Sequence, residues 1–294
     1  MLIDDLDIQD TAQAQPPRPP RQQVFARRAE RLARLADGHS MAGYLQLCAA
    51  IARAQQQLFD TLAAQALHDV AALRELLSRL QQALGDTLPA ASQQALHCLL
   101  ALDDDALQLA AAQLRDGLPA ANPAWQAGLP LLGAAMQIQA VITARQRDLG
   151  SLRPDESSQC PVCHAPPVAS VLRRGDSGHA VRFACCSQCA SEWHISRVKC
   201  VSCGNTRQLQ YRSLARQDAP TPAADPKQPH TYRAVQEVEC CDACQGELKM
   251  VSTLLDAQAE AFADDLASLL LDMLAAEAGY GRIGINPYFV AGSD

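Results

Sequence analysis

Apolar residues in the first half of the chain recur three and four positions apart. The spacing starts at Phe25, continues to about residue 149, and is clear in the run Leu73, Leu76, Leu77, Leu80 and Leu84. It is the period of a helix that buries one face. Helices are predicted between Phe25 and Leu62, with a break at 37–40, and then over 69–84, 91–101, 103–116 and 123–149. Residues 25–150 are therefore expected to form an all-α helical bundle.

Residues 1–24 are polar by contrast, and prolines stand at positions 16, 17, 19 and 20. Such a composition favours an extended chain and buries little apolar surface. The segment is predicted to be a disordered, Pro-rich tail.

The helical spacing ends near Gly150, where proline, glycine, arginine and cysteine become frequent. Short runs with β-branched residues predict strands over 168–172, 180–183, 209–214 and 232–239. A stretch with four prolines, 219–231, predicts a long exposed loop between the last two strands. One more helix is predicted beyond residue 251, ending at Gly279, with an apolar face made of Phe262, Leu266, Leu269, Leu270, Met273 and Leu274.

The charge and the hydropathy of the chain exclude some classes of protein. The 294 residues carry a formal net charge of -7, which argues against a surface that follows nucleic acid or an anionic membrane along its whole length. No run of about 18 uninterrupted apolar residues, the length of a membrane span, is present, and the first residues are acidic, unlike an export signal. These features predict a cytoplasmic protein without a membrane span.

Cysteines carry the strongest chemical signal. Ten of the 12 cysteines lie between residues 160 and 244, and eight of them form four Cys-x-x-Cys pairs. Disulfides are rare in a reducing cytoplasm, and two such pairs complete a tetrahedral site for one metal ion. The predicted ligands of two ions are Cys160, Cys163, Cys186, Cys189, Cys200, Cys203, Cys241 and Cys244.

The grouping of the four pairs has more than one solution. Sequential grouping is favoured because the first two pairs enclose two predicted strands with a turn, as do the last two, but a nested grouping stays open. Four thiolates suit iron as well as zinc. We therefore predict an α+β fold with an N-terminal helical bundle, tandem rubredoxin-like or zinc-ribbon modules over 155–250, and a C-terminal helix and tail over 251–294.

Other readings of these residues are weaker. The pairs could be inert or redox-active thiols, and Cys185 and Cys240 adjoin ligands but are interpreted as non-ligands. Eight basic residues against two acids between 160 and 216 could bind nucleic acid, although thiolate-rich metal sites carry negative charge that offsets them. No spacing indicates a hydrolytic zinc site, so no enzyme activity is predicted.

Several segments together resemble one known family. They are the first cysteine pair with Pro166 to Ser170, the Glu192-Trp193-His194 run between two pairs, and a tail with Asp264-Asp265-Leu266-Ala267 and Asn286-Pro287. This combination is similar to the FdhE family of formate dehydrogenase accessory proteins, and it covers most of the chain from about residue 25. The tail departs from the family pattern at Tyr288, where Phe is usual, and the first pair departs at His164, where Gly is usual.

The resemblance implies a non-catalytic cytoplasmic factor that acts on the catalytic subunit of formate dehydrogenase before export. It also implies that the eight paired cysteines are metal ligands. Contacts to this partner are predicted at Trp193, His194, Arg197, Asp264, Asp265, Arg282 and Asn286. A rubredoxin-like electron carrier and a nucleic-acid-binding zinc ribbon are the rival functions.

Overall fold

Six α-helices occupy the first half of the chain in the computed structural model, which describes residues 16–65, 67, 69–152, 158–175, 180–214 and 234–289. They are α1 Val24–Leu35, α2 Ala42–Leu62, α3 Val70–Leu84, α4 Ala90–Leu100, α5 Asp104–Arg115 and α6 Leu129–Gln146. Two begin at an aspartate cap, because Asp69 and Asp103 accept hydrogen bonds from the first turns of α3 and α5. The all-α prediction for this half is confirmed.

Seven strands form one mixed sheet in the described part of the second half. They are β1 Pro167–Arg174, β2 Ala180–Cys186, β3 Glu192–His194, β4 Leu209–Arg212, β5 Gln236–Cys241, β6 Gly246–Ser252 and β7 Gly281–Arg282. Their order across the sheet is β3-β2-β1-β6-β5-β4, and β7 pairs with β6. The first and last pairs of predicted strands thus lie side by side as hairpins, β1 with β2 and β4 with β5.

Both predicted four-cysteine modules are present, and their strands are joined in one sheet. Strand β6, which the sequence analysis did not predict, pairs antiparallel with β5 and parallel with β1, where Ser170, Val171 and Leu172 face Met250, Val251 and Ser252. This parallel join fuses both hairpins into one sheet. The proline-rich loop over 219–231 lies outside the described residues.

One hydrophobic core spans the helices and the sheet. It contains Leu45, Phe59 and Ile138 from the bundle and also Val171 and Phe262 from the second half, all at most 2% exposed. Continuous burial of this kind makes the bundle and the sheet depend on each other for stability. This core crosses the predicted domain boundaries at 150 and 250.

The described part of the proline-rich N-terminal segment packs on the protein, which corrects the prediction of a free tail for residues 16–23. Pro17 and Pro20 are buried, and Arg18 exchanges backbone hydrogen bonds with Glu192 on β3. Arg145 donates to the carbonyl of Pro20 at 2.6 Å. Residues 1–15 lie outside the described residues.

The predicted C-terminal helix consists of two helices, α7 Ala261–Leu266 and α8 Leu269–Glu277. Ser268, at the break, donates from its hydroxyl to the carbonyl of Asp264 at 2.7 Å. The break shifts the buried face of α8 to Leu271 and Ala275. The predicted single apolar face is therefore wrong, and Leu270, Met273 and Leu274 are exposed.

The segment Pro123–Gln146, a 3-10 helix followed by α6, is long and apolar enough to cross a membrane by length and composition. Its most apolar stretch has a mean hydropathy of 1.4, but 72% of that stretch is buried inside the protein. Burial of this extent is what a central core helix shows.

Candidate metal centres

The first two cysteine pairs converge on one point. Cys160, Cys163, Cys186 and Cys189 place their sulfurs within 4.8 Å of one another, with Cys160 to Cys189 at 3.7 Å and Cys163 to Cys186 at 3.3 Å. Four sulfurs at about 2.3 Å from a central ion would be roughly 3.8 Å apart. The donor set and its size therefore fit a single tetrahedral metal ion.

The last two pairs form the second group in the same way. Cys200, Cys203, Cys241 and Cys244 also lie within 4.8 Å of one another, with Cys200 to Cys244 at 3.8 Å and Cys203 to Cys241 at 3.7 Å. This is the sequential grouping, and the nested alternative is not formed. In each group, one cysteine pair precedes the first strand of a hairpin, and the other pair begins at the end of the second strand.

All four pairs use one backbone turn. The residue after the second cysteine has a positive φ in each case: His164 at 61°, Ala190 at 54°, Gly204 at 74° and Gln245 at 55°. Left-handed backbone closes the turn, as where the His164 amide donates to the Cys160 carbonyl at 2.8 Å. Glycine adopts this conformation without the strain that other residues bear, and only the third pair has it.

The two groups differ in burial. Cys160, Cys186 and Cys189 are buried in the first group and Cys163 is half-buried, whereas Cys203 and Cys244 of the second group are exposed. Burial raises the pKa of Cys186 and of Cys200, while hydrogen bonds from the other three sulfurs lower the pKa of Cys163. Four closely spaced thiols resist simultaneous ionisation because like charges repel, and a bound cation removes that resistance.

The first group is tied directly to the helical bundle. Gln137 on α6 donates from Nε2 to the carbonyl of Ser187, between the two cysteines of the second pair, at 2.8 Å. Gln137 Oε1 in turn accepts from Arg28 of α1 at 2.8 Å. Arg28 is fully buried, lies beside Glu260 at 3.3 Å and covers the ring of Phe262.

Tyr288 completes this buried network. Its hydroxyl accepts from Arg28 Nη1 at 3.2 Å and donates to Gln55 Oε1. A Phe at this position would have no hydroxyl for these two contacts. Sequence reasoning noted Tyr288 only as a departure and assigned no structural role to Arg28, Gln55 or Gln137, because their partners are up to 260 residues away in the chain.

Three of the four predicted partner contacts in the C-terminal part, Asp264, Asp265 and Asn286, are buried, and Arg282 is partly exposed. Asp264 is fully buried and forms a bidentate pair with Arg31 of α1, at 2.6 and 2.9 Å. Asp265, 1% exposed, pairs with Arg282 at 2.6 Å and accepts from Asn286 at 2.8 Å. The Asp-Asp pair therefore joins the C-terminal segment to itself and to the bundle.

The predicted contacts beside the cysteine pairs are also mostly internal. Trp193 is 1% exposed and packs with the first group, and His194 is 8% exposed beside the ring of Phe183. Arg197 is half-buried, and its carbonyl accepts from Tyr211. Trp193 and His194 are therefore buried in this structure, whereas Arg197 is partly exposed.

The basic residues between 160 and 216, here called the basic strip, are partly neutralised within the fold. Arg182 pairs with buried Glu239 at 2.9 Å, and Arg173 pairs with Glu192. Arg174 and Arg207 are exposed, and Arg216 lies outside the described residues. The strip is therefore less positive at the surface than its composition indicates.

Comparison with known proteins agrees with this architecture. Three family models match, described as FdhE, N-terminal over residues 16–66, FdhE, central domain over 159–197, and FdhE, C-terminal domain over 198–289. The boundary between the last two falls between the two cysteine groups. The chain belongs to the FdhE family.

Full-length relatives support this family assignment. A protein FdhE homolog of Pseudomonas aeruginosa is 35% identical over 94% of this chain and 93% of its own. Protein FdhE of Salmonella arizonae is 30% identical over 92% of this chain and 89% of its own. The crystal structure of the FdhE protein from Pseudomonas aeruginosa superposes with a TM-score of 0.76 at 33% identity, over 95% of this chain and all of that one.

Proposed function

We propose that this protein is a cytoplasmic, non-catalytic maturation factor that binds the catalytic subunit of formate dehydrogenase before export. The observation that carries the proposal is the match to all three FdhE family segments, together with both four-cysteine groups in ligand geometry. The client is the one implied by the sequence resemblance.

The chemistry of the two groups supports a structural or binding role. Four thiolates fill a tetrahedral coordination sphere and leave no position for substrate or water, unlike catalytic zinc sites. Cys160, Cys163, Cys186 and Cys189 would hold one ion, and Cys200, Cys203, Cys241 and Cys244 the other. Bound zinc or iron would stabilise the fold around it.

The test is formate-dependent dye reduction in cells that lack this gene, with an immunoblot to quantify the catalytic subunit. Activity should be lost and restored by the wild-type gene but not by Cys186→Ala. Unchanged activity in the deletion strain would refute the maturation role. A subunit present at normal amount but inactive would place the defect in maturation and not in synthesis.

An electron carrier acting on the client is the second candidate, and the exposure of Cys203 and Cys244 favours it. Solvent-accessible sulfur ligands shorten the path for electron or thiol exchange. Protein purified without oxygen should then contain iron with a reversible absorbance change on reduction. Zinc alone in such a preparation would eliminate this candidate.

Nucleic-acid binding receives less support, because internal acids pair with Arg173 and Arg182. Binding to a DNA or RNA duplex at low salt, where phosphate contacts are strongest, would reinstate it.

A further inference from the structure

Four arginines lie close together where the N-terminal segment meets the sheet. They are Arg18 and Arg21 from the segment itself, Arg27 from α1 and Arg173 from β1, and they are here named the arginine patch. Arg18 exchanges backbone hydrogen bonds with Glu192 at 2.7 and 3.0 Å, and the side chain of Arg173 donates to the same residue. Partial burial lowers the pKa of Arg21, and the positive charges of the other three arginines lower it further. The fold thus brings like charges together at a cost.

The acids near the patch do not balance its charge. Glu192 raises the pKa of Arg21, but its carboxylate already accepts from Arg173 at 2.7 Å. Glu260, which also acts on Arg173, lies beside the buried Arg28 at 3.3 Å. Within the described ranges, four arginines therefore share one acid that has no other cation beside it, and the patch keeps an excess of positive charge.

Two arginines of the patch have donors to spare. Arg21 is exposed, and its side chain has no hydrogen-bond or ion-pair partner among the described residues. Arg27 is half-buried and donates to the carbonyl of Ala257 at 3.4 Å. The nearest acid along α1, Glu30, is as close in helical spacing to Arg34 as to Arg27. An anion with several charges would therefore find guanidinium donors here that no described carboxylate uses.

The chain itself supplies such an anion. Residues 1–15 contain four aspartates, at positions 4, 5, 7 and 10, and no lysine, arginine or histidine. They join the described chain at Pro16, two residues before Arg18. A segment of this length reaches up to about 50 Å, and its attachment gives it an effective concentration on the order of millimolar at the patch.

We propose that the acidic segment 1–15 binds to the arginine patch and shields it from other anions. The segment matches the patch in sign and begins beside it, whereas a nucleic acid or an anionic membrane would approach a chain with a net charge of -7. Exposed ion pairs contribute little individually, so several must act together, and salt weakens them. The inference does not depend on the proposed function.

The first experiment measures the binding of the segment directly. An uncharged fluorophore is attached to the α-amino group of the full-length, metal-loaded protein, and its fluorescence anisotropy is recorded. At an ionic strength of about 0.01 M the anisotropy should be well above that of the free labelled peptide 1–15, and about 1 M salt should lower it. A value that rises with protein concentration would show binding between two copies and would overturn the assignment to the same chain.

Two double variants show whether the patch is what the segment contacts. Arg21→Gln with Arg27→Gln removes two charges of the patch, so the anisotropy at low salt should fall towards the high-salt value. Arg53→Gln with Arg115→Gln removes two exposed arginines on α2 and α5, and this matched control should leave the anisotropy as in the wild type. Equal anisotropy in both double variants would refute the proposal.

A labelled hexaglutamate peptide tests the shielding at about 0.1 M salt, where charges more than about 10 Å apart are largely screened. Changing the four aspartates of 1–15 to asparagine should raise the affinity for this peptide about tenfold, because the attached competitor is removed. The control changes the exposed acids Asp86, Asp105, Asp116 and Glu277 to their amides, and it should raise the affinity less than about threefold. Equal gains would show a general effect of net charge and would contradict the shielding.

Discussion

The two four-cysteine groups have the same ligands and the same turn, but they differ in their surroundings. The first is buried against the bundle, and Gln137 of α6 donates to the backbone between its cysteines. The second has two exposed cysteines, and beside it Asp242 accepts from Gln210 of β4 and from Tyr280 of the C-terminal part. The same motif thus occurs in the centre of the fold and again at its periphery.

The difference shows that the Cys-x-x-Cys spacing determines the ligand geometry but not how much each group contributes to the stability of the fold. That contribution depends on which other parts of the protein pack against the group. The first group shares a hydrophobic cluster with Ala144 and Leu149 of the helical half, whereas Cys240 beside the second group packs with Leu271 and Tyr280 of the C-terminal part. Loss of the first ion should therefore unsettle the whole fold, and loss of the second a smaller region.

Removal of one ligand from each group should give the largest contrast. Cys186→Ser should lower the free energy of unfolding by about 3 kcal/mol or more, and the midpoint of thermal unfolding by roughly 10 °C. Cys203→Ser, at an exposed ligand of the second group, should cost less than half as much. Calorimetry with metal analysis checks this, and equal losses would contradict the comparison.

The link between the bundle and the first group should have the next largest effect. Gln137→Leu leaves the Ser187 carbonyl without its donor and Arg28 without one acceptor, so we expect a loss of about 2 kcal/mol. Gln139→Leu is the matched control on the same helix, because its bond to the Asp69 carbonyl is exposed, and it should cost about 0.5 kcal/mol or less. Urea unfolding measures the loss of stability in both variants. Losses of similar size would contradict the proposed importance of the link between the bundle and the first group.

A buried carboxyl near the second group should make stability depend on pH. Burial, with the negative charge of Asp272, raises the pKa of Glu247 from 4.5 to about 8. Between these values the folded chain keeps a proton that the unfolded chain releases, so the free energy of unfolding falls as pH rises and levels off above about pH 8.

Between pH 5.5 and pH 7.5 the free energy of unfolding should fall by about 1–2 kcal/mol because of Glu247. The upper limit for one proton is a factor of ten in the folding equilibrium, about 1.4 kcal/mol, per pH unit, and relaxation of the site around the ionised carboxylate reduces it. Glu247→Gln cannot ionise and should show a flatter profile in urea unfolding. Glu75→Gln removes an exposed carboxyl and should keep the wild-type profile. A wild-type profile in Glu247→Gln would show that other groups cause the dependence.

The smallest effect concerns the turns that end the cysteine pairs. His164 is exposed with a φ of 61°, so His164→Gly should relieve strain and stabilise the protein by about 0.5–1 kcal/mol. Gly204 has a φ of 74° and room for a Cβ atom, with the nearest side-chain atom at 3.7 Å, so Gly204→Ala should destabilise by about 1 kcal/mol. Changes of the same sign in thermal melts would contradict this account of the turns.

Local patterns predicted much of this fold. Helical spacing located α3 and α5, and the cysteine spacing with the strands that it encloses led to the sequential groups. These features depend on residues near each other in the chain. Their physical causes, helix periodicity and thiolate geometry, are therefore visible in a short window of sequence.

Long-range contacts could not be predicted in the same way. The parallel pairing of Ser170 with Met250 joins residues 80 positions apart, and no spacing indicates it. Asp264 and Asp265 resemble a solvated acidic pair on a helix, and only the fold brings Arg31 and Arg282 to them. The break at Ser268, which exposes Met273, likewise depends on how α8 packs against β5 and not on the sequence period.

The central claim is that the chain binds two metal ions and that its four cysteine pairs are grouped in sequential order to bind them. Metal analysis of two double variants tests it most directly. Cys163→Ser with Cys189→Ser removes two ligands from one group, so one ion per chain should remain. Cys189→Ser with Cys203→Ser removes one ligand from each group, so both ions should be lost. The reverse result, with both ions lost in the first variant and one kept in the second, would contradict the account.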